Sequence, residues 1–204
     1  LTEYTGNPRI AAFWVPRLER FAHWFASTEP GRRAGVARVL AEVSGSYVLS
    51  GPAGPFTLTA RADRVDICPD GIVITDYKTG SKNSIERLAK RAREGLAPQL
   101  PLEALIAVNG GFAGVQATRI SKLRYISASG GEPPGSEVAI DQNIEAIIEA
   151  TRNGLERLIA RFDNPSTPYR AVRRPAYDYR YDDYKHLARV SEWIGAEAEG
   201  GGDE

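Results

Sequence analysis

Two hydrophobic periodicities run along the chain and mark out helices and strands. Between residues 10 and 25, Ile10, Phe13, Trp14, Leu18, Phe21, Trp24 and Phe25 recur at helical spacing, and Pro16 is placed to kink this helix or start a second one. Residues 141–162 carry Ile144, Ile147, Ile148, Leu155, Leu158, Ile159 and Phe162 on one face, which predicts a helix that buttresses a sheet. Shorter helices are predicted over 85–94 with Ser84 as cap, over 99–109 with a stop at Gly110 and Gly111, and over 182–194. Strand patterns lie between. Residues 31–48 hold a helix end and the approach to a first strand, and a Gly/Pro turn follows at 50–55. Phe56, Leu58, Ala60 and Ala62 then alternate with polar residues, and Ile72, Val73 and Ile74 form an apolar run closed by Tyr77. Pro69, Asp70 and Gly71 between them signal a hairpin. Leu123 and Tyr125, alternating with Lys122 and Arg124, predict a strand over 118–127, and a flexible Gly/Pro loop follows at 129–136.

The hairpin brings chemistry together. With a loop at 68–71, Ile67 pairs with Ile72, Val65 with Ile74 and Asp63 with Asp76. Facing side chains have Cβ atoms roughly 4.5–5.5 Å apart, so two carboxylates there repel unless something positive lies between them. Lys78 projects from the same strand face as Asp76. Asp63, Asp76 and Lys78 thus suit a divalent cation, Mg²⁺ or Mn²⁺, with a lysine to orient or activate water, as phosphodiester hydrolysis needs. The competing reading is a solvated hairpin end whose aspartates pair with Arg61, Arg64 or Lys78. Apolar parity is even up to Ala62 and odd from Val65, so a bulge near Asp63 would shift the register.

Ala62-Asp63-Arg64-Val65-Asp66 followed by Asp76-Tyr77-Lys78-Thr79-Gly80 resembles the RecB-type nucleases of the PD-(D/E)XK superfamily. Gln99-Leu100-Pro101-Leu102 is similar to the Gln-Leu-x-Leu motif on the helix after the catalytic lysine, and segments 13–21 and 184–193 resemble the C-terminal region of AddB, a subunit of AddAB helicase-nucleases. The resemblance implies an α/β fold, a mixed central sheet flanked by helices on both faces. It also implies further site residues. Glu42 stands where related nucleases carry an acidic residue before the sheet, as a third metal ligand or else an exposed helix-end glutamate. Gln99 is placed to hydrogen-bond a phosphate or the surroundings of the lysine. The family often has a metal-binding histidine in the first helical region, but His23 points roughly 200° from Phe21, away from the apolar side, and reads as surface. Glu103 stands where the family usually has tyrosine, which removes an aromatic contact and leaves the metal chemistry intact.

Composition narrows the picture. The 204 residues are 42% hydrophobic and 25% charged, which fits one soluble domain over 1–194 with a disordered acidic tail at 195–204. No signal peptide or membrane-spanning run is evident, so a cytoplasmic site is expected. The chain starts at Leu1 and has no methionine, which suggests a fragment of a larger polypeptide. Cys68 is the single cysteine, so the iron-sulfur centre of many AddB-like nucleases is expected to be absent. Formal net charge is zero, which argues against a wide basic face, although Arg87, Lys90, Arg91 and Arg93 cluster near the proposed site and suit phosphate contact, as Tyr and Arg in 169–184 suit packing or base stacking.

The expected activity is Mg²⁺-dependent cleavage of DNA. By resemblance the substrate is a single strand fed by a helicase, cut during processing of broken ends for recombination, with an AddA-like subunit as partner. Two rivals remain: a nuclease-like module that binds DNA or a subunit without cutting, and a stand-alone endonuclease of the same superfamily.

Overall fold

Pro69 and Asp70 form a two-residue turn between paired Cys68 and Gly71, and the sheet grows outward from this hairpin. Gly71 takes φ +134°, and a Cβ there would lie 2.6 Å from the Arg119 carbonyl oxygen, so glycine is required. The computed structural model describes residues 8–116 and 118–169. The Tyr- and Arg-rich segment beyond Tyr169, the helix expected over 182–194 and the acidic tail lie outside the described residues. Contacts divide the chain after Asp163 into two compact units, and the elements below belong to the first.

Strands β1 (Arg38–Gly51), β2 (Gly54–Cys68) and β3 (Gly71–Lys78) make an antiparallel meander; β4 (Ile120–Ser127) lies parallel to β3, and β5 (Ser136–Ile140) antiparallel to β4. A parallel neighbour needs a crossover, which α2 (Lys82–Arg93) and α3 (Gln99–Val108) supply. Helix α1 (Pro8–Arg33) precedes β1 and α4 (Ile144–Phe162) follows β5. The result is the mixed α/β sheet expected from the sequence.

The two faces of the sheet are held differently. On one, Val65, Ile72, Ile74, Leu123, Tyr125 and Ile140 meet Ile85 and Ala89 of α2, Leu100 and Ala104 of α3, and Ile144, Ile147 and Ile148 of α4 in one apolar core. On the other, Arg64, Asp66 and Arg124 are buried beside α1. Glu29 of α1 receives Arg64 Nη1 at 2.8 Å, Arg64 Nε donates to Asp66 at 2.7 Å, and Arg124 and Arg32 both pair with Glu137, at 3.0 and 3.5 Å. Burial opposes the charge of Glu29, but hydrogen bonds from Arg33, Arg32 and Arg64 outweigh it and hold its carboxyl below the usual range. Phe25 packs on Tyr77 with ring centroids 6.2 Å apart.

Several expectations change. Helix α1 runs through Pro16 without a break, and Phe13, Trp14 and Leu18 remain 51–55% exposed, so its apolar side is covered only from Phe21 onward. Leu158 of α4 is likewise exposed. Helix α2 begins at Lys82, so Ser81, not Ser84, occupies its N-cap position, and the Ser84 hydroxyl donates back to the Ser81 carbonyl at 2.6 Å. The short strand β5 gave no sequence signal. The loop before it is tied down: Gly130 N–H donates to the Pro134 carbonyl, and Arg20 Nε reaches the Gly130 carbonyl, both at 2.8 Å. Among the described residues no helix is long and apolar enough to cross a membrane.

Removing Glu29 leaves Arg64 and Arg32 short of an anionic partner under α1. Glu29→Ala should lower unfolding free energy by roughly 2–4 kcal/mol in urea titration, whereas Glu149→Ala, in a solvent-facing pair with Arg152, should leave the midpoint where it is.

Candidate active site

Alternation along β3 sends Ile72, Ile74, Asp76 and Lys78 to the helix-bearing face, and Val73, Thr75 and Tyr77 to the face under α1. Asp76 is therefore carried to the rim of the apolar core, where it is 2% exposed, while the next residue on that face, Lys78, keeps 32% of its side chain in solvent. Helix α3 begins at Gln99 beside this strand end. Lys78 Nζ donates to Asp76 Oδ1 and to Gln99 Oε1, each at 2.9 Å, and Gln99 Nε2 donates to Asp76 Oδ1 at 2.7 Å. Asp76, Lys78 and Gln99 thus form a closed triangle of hydrogen bonds.

Asp63 arrives by a different route from the one expected. The β2–β3 ladder runs from Cys68 with Gly71 to Arg64 with Thr75 and stops there, so Asp63 is not a ladder partner of Asp76. Instead its Oδ2 accepts the Tyr77 backbone N–H at 2.9 Å. The cause lies on β1. Ala41 pairs with Arg64 and Val43 with Ala62, so Glu42 and Asp63 fall together in an interruption, with Glu42 at φ +52°. Both strands change apolar parity across it, which explains the sequence pattern without an extra residue or a shift of register. Asp63 still lies near enough for its charge to raise the Asp76 carboxyl.

The remaining candidates divide. Glu42 is exposed and its carboxylate pairs with Arg61 at 2.9 Å, so it is not gathered with Asp76. Arg87 is exposed on α2, whereas Arg91 is half-buried and donates to the Leu96 carbonyl at 3.3 Å, bracing the turn into α3. His23 is exposed, as its helical angle indicated. One residue was missed as a member of the site: Glu103, 3% exposed, whose Oε1 accepts from Gln99 Nε2 at 3.2 Å. The signal was its place four residues after Gln99, on the same helix face.

Residues 6–177 match the family profile of the PD-(D/E)XK nuclease superfamily. The chain belongs to this nuclease superfamily. No curated protein matches it. Among solved structures it is similar to the crystal structure of SSO0001, with 11% identity and a TM-score of 0.37 over 83% of this chain and 73% of that one. Nucleases of this superfamily usually use Mg²⁺ or Mn²⁺, and the residues here fit such an ion. Asp76 Oδ2 is a buried oxygen without a hydrogen-bond partner, and it is a hard donor. Among the described residues no three His, Cys, Asp or Glu side chains form a ready cage. Mg²⁺ does not need one, because it keeps several waters and takes one or two carboxylates.

Burial dominates the electrostatics of this candidate site. It raises the Asp76 carboxyl, against the hydrogen bond and charge of Lys78, and it raises the Tyr125 hydroxyl, the β4 neighbour of Asp76. Glu103 is pushed up to about 7, first by burial and then by the charges of Asp76 and Asp63, against the Gln99 hydrogen bond and Lys78. The folded state thus holds the Glu103 proton more tightly than an unfolded chain with the ordinary value of 4.5. Its contribution to stability is complete below that value and is lost as pH rises through about 7. On the order of 3 kcal/mol should disappear between pH ~4.5 and ~8 in urea denaturation with EDTA present, and Glu103→Gln should remove that part of the slope.

Proposed function

We propose that this chain is a metal-dependent deoxyribonuclease, with Asp63 and Asp76 holding Mg²⁺ or Mn²⁺ and Lys78 acting on the attacking water. The observation that carries this reading is the lysine ammonium held by Asp76 Oδ1 and Gln99 Oε1, beside a buried carboxylate oxygen with no partner. The bound cation would supply Lewis-acid polarisation of the phosphate and a more acidic water. Lys78, tethered at two points yet partly open to solvent, orients that water and stabilises charge developing on the phosphoryl oxygens. Tyr77 fixes the strand from behind, its N–H on Asp63 and its ring on Phe25, so that both aspartates and the lysine keep their spacing. Arg87, on the solvent side of α2, is placed for phosphate contact; Arg91 serves the fold.

The finer reading is an exonuclease acting on a single strand delivered by an AddA-like helicase subunit, during processing of double-strand breaks. Support comes from the AddB-like 13–21 segment and from the net charge of zero, which suits a domain that receives DNA from a larger assembly.

End-labelled single-stranded DNA should be degraded in Mg²⁺ and spared in EDTA. Lys78→Ala or Asp76→Ala should slow cleavage by roughly a hundredfold or more, and circular single strands should resist. Cleavage that ignores metal and Lys78, or none even with the helicase partner present, would overturn the assignment.

A further inference from the structure

One carboxyl of the site has no part in the proposed chemistry. Glu103 follows Gln99 by one helical turn on α3, among Leu100, Ala104 and Ile106, each 0% exposed. A carboxyl in that company costs stability that an apolar side chain would not, so packing gives no reason for it. Its Oε2 lacks a partner, and its Oε1 accepts from Gln99 Nε2 whether or not the group carries a proton.

Gln99 is exposed at the first turn of its helix, where a side chain with three torsions is ordinarily mobile. Here three contacts select one orientation of its amide: nitrogen toward Asp76 and Glu103, oxygen toward Lys78. The reversed amide would set nitrogen against the ammonium and oxygen against two carboxyls. We propose that Glu103 is a positioning residue for Lys78 that acts through Gln99, holding the amide nitrogen inward so that the amide oxygen stays on the lysine. The purpose of this arrangement rests on the nuclease reading; the contacts themselves do not.

Two readouts separate those layers. In the intact chain, the side-chain amide resonances of Gln99 should move toward free-glutamine values in Glu103→Leu and stay near their original positions in Glu103→Gln. Cleavage at saturating Mg²⁺ and DNA should slow about tenfold in Glu103→Leu with little change in KM, and Glu103→Gln should recover most of that loss. In a Gln99→Ala background Glu103→Leu should cost nothing further. Unmoved Gln99 resonances, or the same loss with and without Gln99, would overturn the proposal. Glu103→Ala replaces the leucine variant if thermal melting shows it unfolded. A wild-type chain that cuts nothing even with the helicase partner present would remove the nuclease reading, while the resonances still decide whether Glu103 orients Gln99.

Discussion

A carboxylate almost wholly removed from water must be met by positive charge and hydrogen-bond donors, or it gives up its ionisation. Asp76 is in that position, and much of the structure answers to it. Its strand is central, so the residue two positions further on reaches solvent only at the strand's end, which is where a lysine can bond Asp76 and still face solvent. The crossover from β3 to β4 ends α2 and starts α3 so that Gln99 comes over the same oxygen. The remaining oxygen, Oδ2, has no partner, and it is the group a cation would satisfy.

The sequence made part of this readable. Hairpin, turn and register were legible as far as Arg64 because period-two alternation and the Pro69-Asp70-Gly71 turn are local signals. Asp76 and Lys78 share a face by parity alone. The break in the ladder was visible only as a change of parity; its form depends on Glu42, on another strand, in a left-handed conformation that no local pattern announces. Glu103 stood out as a departure from the family, yet its burial follows from how α3 packs. Nothing local in the sequence marks Arg64, Asp66 and Arg124 as buried, because charges usually face solvent, and only the docking of α1 covers them. Strand β5 escaped because five residues with half-buried alternation carry too little signal. Phe13, Trp14, Leu18 and Leu158 obey helical periodicity and stay exposed, since periodicity reports a side and not what covers it.

The sheet consequently joins two kinds of cohesion. Toward α2, α3 and α4 it offers aliphatic surface, whose stabilisation scales with area and is indifferent to direction. Toward α1 it offers a circuit of guanidinium and carboxylate groups, whose stabilisation depends on angle and on every partner being present. Tyr77 belongs to the second layer by its ring and to the candidate site by its backbone N–H, so one residue links the docking of α1 to the placing of Asp63.

The ionic layer also constrains how such a sequence can change over generations. In the aliphatic core, isoleucine, leucine and valine can replace one another singly, each step losing little if volume is kept. Glu29, Arg32, Arg64, Asp66, Arg124 and Glu137 have no such freedom, because altering one strands a charge on another. They must drift together, so descendants of this chain should carry them as a correlated set while the opposite face of the same sheet diverges residue by residue.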